Sequence, residues 1–578
     1  MTLELISQEI LLGYILPNLS ISDICSVSKT STSLNQVVTK HGNLLWKKKF
    51  HQRWPKLVHI LEHGGKENWL TCTRFQYHIE QQIHTSINAM IENSSIHRPP
   101  TSESMAVLNL KVPFEFLEDA VLKVANSKQQ STTSLTKTYY AKYLLRFLRC
   151  QRLDIEIQEY KENEKIGFAK GAFLVSKWQH VAENIIPQWE DVSCILEDTT
   201  TRIQNILQTR KNSKRPRRTL SEKEQTKEKV EITVHMLFQE CNFHCDLLAD
   251  SDKEDWNEIL QAYYITEVLK NRRGKPIIIA IILDDILNRL DLKSEILSHE
   301  NQFYVRVPLN KTTDTEWIFI DVSNHSVFPS RQLFPDEYPA EDHAIFFDII
   351  LPLYNIASEV HDTNFIKKEA LTTISKEQLS NFHLNFSRFA CCWEPDFLQP
   401  FKYAIACMTY KEHLDEARRF IPNTYENATL TLLLNQQIRH QKNMFLEDNT
   451  TKSRSEAVQY AVGMCVMVET NPQDNDMGIG IITDWDPFCT KDNVWQENIG
   501  RFKLNDPFYS VIKEDGTTAY IPQEQIIGPD LTPTITNNIK IGIDFNTFNG
   551  TYYTANKKKQ EKYPEDEDFK NHFYFLLI

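Results

Sequence analysis

No stretch of this 578-residue chain is apolar for long enough to cross a bilayer, which takes roughly 18 residues. The first residues have no basic run ahead of an apolar one. Glu4 and Glu9 stand there instead, so no secretory signal is expected. Excess positive charge is missing too. Lys and Arg number 64 against 77 Asp and Glu, a net of −13, which removes nonspecific attraction to nucleic acid or anionic membrane as the default. The eleven cysteines are odd in number and scattered, which points to a reducing compartment and mostly free, buried thiols. No internal repeat stands out. These absences leave a cytoplasmic or nuclear protein, with no membrane and no cofactor expected. What is present is ordinary for globular protein: 41% hydrophobic and 24% charged residues. The length suggests about three or four domains at roughly 150 residues each.

Composition shifts along the chain give a linear map. Residues 1–55 are short apolar helices, and 56–229 are mostly helical. Tyr139, Leu144, Phe147 and Leu148 recur there at helical spacing. The end of that region, 209–229, has Leu220 as its sole large aliphatic or aromatic residue and reads as a solvated basic linker. Its Lys211, Lys214, Arg215, Arg217 and Arg218 suit either a nuclear-import signal or a plain solvated charge run. A mixed helix and strand region follows at 230–350, then helices at 351–455. From 456 to 578 the pattern turns to short strands. Val462, Met464, Val466 and Val468 alternate onto one face, and Asp515-Gly516 suits a tight hairpin turn.

In the first segment the apolar positions are Ile6, Ile10, Leu11, Ile15, Leu16 and Leu19. Ser22 and Asp23 are candidate caps for a second helix carrying Ile24 and Val27. Leu34, Val37, Val38, Leu45 and Trp46 follow. Roughly 45 residues make a weak independent core, so the apolar excess must be shared with a neighbour. An internal helical cap fits this. The opening apolar-x-x-Glu-Ile-Leu, the "LSISDI" and the closing Leu45-Trp46 also resemble the F-box family, with Ser7 where that family usually has Pro. The resemblance implies docking on a Skp-type adaptor within a cullin-based ubiquitin ligase. It makes Ile6, Ile10, Leu11, Ile15, Leu16, Leu19 and Ile24 the candidate adaptor contacts.

The centre holds "NRRGKPIIIAIILDDILNRLDL", a buried helix entered through Gly274 and Pro276. Strands "FYVRV" and "FIDV" follow it. Together they resemble the transglutaminase-like family. The chemistry of that family needs a thiol at the helix N-terminus, where the dipole lowers its pKa, then a His on one strand and a carboxylate or amide on the next. No residue from Lys275 to Ile279 is Cys, and Gln302 stands where the resemblance calls for His. An amide does not titrate and cannot act as a base. Asp321 alone survives, so the resemblance implies a fold kept without its nucleophile, with Gln302 and Asp321 as remnants of the triad. The rival reading is an active cysteine hydrolase or transglutaminase-like enzyme with its thiol elsewhere, and Cys241 and Cys245 are the places to look. Cys241, His244 and Cys245 also begin a zinc-like spacing, but no second pair completes it, and no metal is expected.

Trp485-Asp486-Pro487, Pro507-Phe508-Tyr509, Glu514-Asp515-Gly516 and Gln523-Glu524 resemble the YccV-like, or hemimethylated-DNA-binding, family, which implies a small β-barrel. From Gln459 onward ten Lys and Arg face eighteen Asp and Glu. Phosphate binding needs clustered cations, so DNA is not the expected ligand and a DNA-binding regulator is the weaker alternative. Trp485, Tyr509 and Tyr520 are candidates for protein or peptide contact, although residues of these types more often belong to the core. The whole reads as a multidomain chain, mainly α with an α+β centre: helical F-box, helical linker region, transglutaminase-like core, C-terminal barrel. The expected role is a non-catalytic substrate-recognition subunit of a ubiquitin ligase, with adaptor, cullin and a protein substrate as partners.

Overall fold

Lys275 and Pro276 start the helix that organises the centre of the protein. Proline at the first helical position has its φ preset and gives up an N–H that would lack a partner anyway. The computed structural model describes residues 6–62, 68–95, 99–101, 104–126, 134–163, 167–182, 186–213, 221–246, 256–299, 302–309, 316–329, 349, 376–393, 398–410, 413–421, 427–448, 450–471, 476–491, 503–513, 517–530 and 540–577. The chain divides into two units, Arg149–Leu434 and a second one built from Met1–Leu148 with Asn435–Ile578.

In the first of these, helix Pro276–Arg289 has every residue from Ile277 to Asp284 buried. At about 1.5–3 kcal/mol per fully buried Ile or Leu, this helix is the largest single apolar contribution to its unit. Two short strands lead into it. β1 (His244–Cys245) pairs in parallel with β2 (Arg273–Gly274). Gly274 is required: a Cβ there would fall 2.6 Å from a methyl of Val268. The helix lies on an antiparallel sheet in the order β3 (Glu295–His299), β4 (Gln302–Pro308), β5 (Trp317–Asp321), β6 (Ser326–Pro329). Phe303, Val305, Val307, Ile318 and Ile320 face the helix. Leu297, Tyr304 and Phe319 form a separate small cluster with Trp317 and Phe328, as strand alternation requires.

Helices Phe168–Gln179, Trp189–Ser213, Glu222–His235 and Lys376–Trp393 enclose this core. The basic segment is therefore not a linker throughout. Residues 209–213 end one helix, and Ser221 and Glu224 form a capping box that starts the next. Residues 214–220, with most of the basic cluster, lie outside the described residues. So do 351–375. Beyond them, helices Leu398–Tyr410, Leu414–Phe420 and Ala428–Asp448 bear out the helical reading. Buried Arg388 ties these elements together, bonding Asp154 (2.9 and 2.7 Å) and Glu416 (2.7 Å).

The other unit starts with a single turn at Gln8–Ile10 and the helix Ile21–Thr30. The cap of the latter is Ser20, not Ser22. Its Oγ accepts from the Asp23 N–H (3.1 Å), and the Asp23 carboxylate accepts from the Ser20 N–H in return. Trp46 in helix Asn43–Arg53 donates to the Val38 carbonyl (2.9 Å). Leu11, Leu16, Ile24, Leu34, Val38, Trp46, Phe50 and Trp54 share one core with Ile79, Ile83 and Ile87 of helix Trp69–Asn93. The apolar excess of the first segment is thus spent on its neighbour.

The C-terminal part of this unit is a five-stranded antiparallel sheet. Its strands are β7 (Cys465–Asn471), β8 (Asp476–Asp486), β9 (Phe508–Lys513), β10 (Thr518–Pro522) and β11 (Ile526–Pro529), in the order β10-β9-β8-β7-β11. Val462, Met464, Val466 and Val468 are all buried, as their alternation predicts. β9 and β10 form the expected hairpin, with its turn at 514–516 outside the described residues. Where a barrel was expected, no ladder joins β10 to β11 among the described residues, so the sheet is open. A second hairpin, β12 (Phe545–Phe548) and β13 (Tyr553–Ala555), and helices Lys557–Lys562 and Asp566–Leu577 pack beside it. No helix among the described residues is long and apolar enough to cross a membrane.

Candidate functional site

Three regions hold the residues singled out by sequence. In the first, Leu11, Leu16 and Ile24 are buried in the unit's own core and have no surface to offer a partner. Ile6, Ile15 and Leu19 are half-buried against that core. Ile10 is 48% exposed, and two residues not singled out are more so: Tyr14 at 74% and Leu44 at 82%. Both carried a signal. Tyr14 lies one helical turn after Ile10, and Leu44 falls off the stripe on which Leu45, Trp46, Lys49 and Phe50 turn inward.

In the centre, the position a nucleophile would take is filled by Lys275, whose ammonium sits over the Tyr263 ring at 5.6 Å, and by three buried isoleucines. Asp321 is opposite Tyr304 in the β4–β5 ladder, and Gln302 precedes Tyr304 by two residues. The two remnants therefore share a face, and it is the one turned away from helix Pro276–Arg289. Asp321 spends its carboxylate on the turn that follows: it accepts from the N–H groups of Ser323 (2.9 Å) and Asn324 (3.0 Å) and from the Asn324 amide (2.8 Å). Gln302 accepts from the Tyr304 hydroxyl.

A thiol does approach this region from another strand. Cys245 pairs with Gly274 just ahead of the helix, and its Sγ donates to the Val322 carbonyl (3.3 Å). Burial pushes that thiol up to about 12, and the carboxylates of Asp321 and Asp246 add to the effect. A thiol held protonated is a poor nucleophile. His325, four residues after Asp321, stacks on Phe238 with centroids 4.0 Å apart. Burial and His244 lower its pKa, with Asp321 opposing them. The elements of a cysteine, histidine and carboxylate set are thus gathered, in an electrostatic setting that disfavours the thiolate.

In the third region, Trp485 and Tyr509 are fully buried, so neither can meet a partner directly. Trp485 Nε1 donates to Asp566 (2.9 Å), which also accepts from the Val462 N–H (2.7 Å) and pairs with Arg454 (2.7 Å). The Tyr509 hydroxyl accepts from the N–H groups of Gln459 and Tyr460 and donates to Gln523. Tyr520 is half-exposed. Its hydroxyl donates to Asp486 (2.7 Å), and its ring stacks on Phe508 at 5.2 Å. Phe488, two residues past Asp486, is an exposed ring that sequence reasoning missed. Burial works against the charge on Asp484, but Lys559, Lys562 and Lys452 together hold its carboxyl well below the usual range. Those cations are engaged inside the protein, which compounds the shortage of positive charge for DNA.

Residues 199–336 match the Transglutaminase-like superfamily, and residues 458–552 match the family described as Hemimethylated DNA-binding protein YccV like. Between and beyond those two regions the likeness continues. The chain resembles F-box only protein 21 from end to end. The Mus musculus F-box only protein 21 is 22% identical over 602 residues, covering 96% of this chain and 91% of its own. The proteins of that name from Pongo abelii and Homo sapiens are each 21% identical, covering 96% of this chain and 90% of their own. No solved structure matches.

Proposed function

We propose that this chain is the substrate-recognition subunit of a cullin-based ubiquitin ligase, docking a Skp-type adaptor through its first segment. The observation that carries the reading is the exposure of Ile10, Tyr14 and Leu44 on a segment whose other large apolar residues are buried or half-buried. The end-to-end likeness to F-box only protein 21 supports it. The domain bounds proposed are 1–55, 56–229, 230–350, 351–455 and 456–578. Such a subunit performs no bond chemistry. It raises the effective concentration of a substrate lysine near the charged conjugating enzyme. Co-purification of the adaptor with the wild-type chain and its loss in the double variant Tyr14→Asp, Leu44→Asp is the test. Undiminished adaptor capture by that variant, with its melting transition intact, sinks the reading.

The central region is proposed to be non-catalytic. One observation favours the rival reading, a cysteine hydrolase: the approach of Cys245 to Asp321 and His325. An activity-based cysteine probe separates the two. Labelling confined to Cys245 and abolished by His325→Ala supports an enzyme. The C-terminal region is proposed to contact protein rather than DNA, through Phe488 and Tyr520. The cytoplasm is the proposed compartment, with the nucleus reached only if the 211–218 cluster is read as an import signal.

A further inference from the structure

A cleft in the unit built from both ends of the chain has no part in the reading above. It is lined by Ile91, Ser94 and Ser95 from the end of helix Trp69–Asn93, by Ile543 and Asp544, and by Asn556, Lys558, Lys559 and Lys562. It is a concavity of about 340 Å³ that includes open solvent, with room for a small group rather than a large ligand. Two polar groups inside it are poorly served. Ser94 Oγ is buried and makes no hydrogen bond of normal geometry, although the buried Tyr140 phenol is close enough to feel it. Lys559 is 9% exposed, and its ammonium carries three N–H groups. Its one ion pair within 4 Å is a long approach, 3.5 Å, to Asp544; beyond that it lies over the Tyr563 ring at 5.7 Å and in the field of Asp484, and no acceptor is at hydrogen-bond distance from it among the described residues. The other two lysines are better placed: Lys558 donates to the Ser94 carbonyl (2.9 Å) and Lys562 pairs with Asp484 (3.0 Å).

The lining therefore sets three lysines against one carboxylate, Asp544. Asp484 stands behind Lys562 and Lys559, shared with Lys452 and the Tyr563 hydroxyl. This is a local surplus of positive charge in a region that is acidic as a whole. Burying an ammonium without full partners is costly, and a water in the cleft would hydrogen-bond without neutralising it. A tetrahedral oxyanion does both. Its oxygens can accept from Ser94 Oγ and Lys559 Nζ, both of which line the cleft, within the field of Lys558 and Lys562.

We propose that this cleft binds a phosphate-type oxyanion, clamping the end of helix Trp69–Asn93 to the Lys557–Lys562 helix. The group would come from a free phosphate or small phosphomonoester, since the cleft is small and the region from Gln459 onward is too acidic to track a nucleic-acid backbone. The rival is a cleft filled by water, its lysines serving Asp484 and Asp544 alone.

The test uses the full chain and inorganic phosphate, titrated against chloride at matched ionic strength, with thermal unfolding and calorimetric binding as readouts. Saturable binding is expected, with a rise in Tm of about 2–4 °C at ten times Kd. Ser94→Ala and Lys559→Gln should each weaken it at least tenfold. If Lys559→Gln fails to melt cooperatively, Ser94→Ala decides, because removing one hydroxyl leaves every ion pair in place. A response equal in wild type and Ser94→Ala, or one that chloride reproduces, overturns the proposal. A short DNA duplex forms the second arm. No competition with phosphate is the expected result. Competition that Ser94→Ala abolishes would overturn the assignment to a free phosphate and make nucleic acid the source.

Discussion

Asp284 lies in the third turn of helix Pro276–Arg289, buried beneath the sheet. Its carboxyl accepts from Ser294 Oγ (2.6 Å), and no cation is among its close partners. The groups around it are Ser294, Asn288, Asp285 and Glu295, and Asp285 is itself occupied by Arg289. Burial raises the Asp284 carboxyl from 3.8 to about 7, helped by Asp285 and Glu295 and opposed by the Ser294 hydrogen bond. A folded-state value above the unfolded one means that the folded protein holds a proton the unfolded chain gives up. The resulting stability is fully present below pH 3.8. It falls by about 1.4 kcal/mol per pH unit as pH rises towards 7 and is gone above that, a total of at most about 4 kcal/mol. Asn mimics the protonated acid in shape and charge and keeps an acceptor for Ser294. Asp284→Asn should therefore remove this slope without unfolding the helix. Subtracting the variant from wild type cancels every other titrating group. Wild-type stability should fall relative to the variant's by about 2–3 kcal/mol between pH 5 and pH 7 and then level off. Thermal or urea unfolding at half-unit steps from pH 5 to 8.5 measures it. A difference that stays constant across that range refutes the reasoning, because it would mean that Asp284 is charged and accommodated throughout.

Leu16→Asp should abolish cooperative melting of its unit, since Leu16 is core. Tyr14→Asp should leave melting unchanged and weaken adaptor binding at least tenfold, as surface plasmon resonance would report. Asp566→Asn should cost about 3–5 kcal/mol in urea unfolding, because it leaves Arg454 buried without its carboxylate partner and weakens the bonds from Trp485 and Val462. Cys245, pushed up to about 12, should alkylate with iodoacetamide at pH 8 at least a hundredfold more slowly in the folded protein than in urea, read by peptide mass spectrometry. Equal rates would show that the thiol is exposed or ionised.

The apolar run from Pro276 to Leu283 and the β9–β10 hairpin could be read from sequence because each is a local pattern: one period of burial, one turn. The capping box at Ser221 was also present as a Ser-x-x-Glu, but the density of charge around it hid the helix. What sequence could not decide was direction. Leu11 and Ile10 are neighbours of equal hydrophobicity, and only the packing of Trp46 and Phe50 shows which is core. Trp485 and Tyr509 were ambiguous for the same reason, and their partners, Asp566 and Gln459, lie 81 and 50 residues away. The Cys245 approach was invisible because it depends on a parallel pairing between residues 244–245 and 273–274, which no period in the chain announces.

The unit that joins Met1–Leu148 to Asn435–Ile578 sets a schedule for synthesis. Its two parts are separated by the whole of Arg149–Leu434. At about 5–20 residues per second the early part waits roughly a quarter of a minute to a minute before its partner leaves the ribosome. During that wait Thr136 lacks the Phe545 carbonyl it finally bonds, and Leu135 lacks the close backbone of Gly542. The nascent chain must therefore hold an unfinished apolar surface in reserve while an unrelated core folds, which makes the early part a candidate client for chaperones that bind exposed apolar segments.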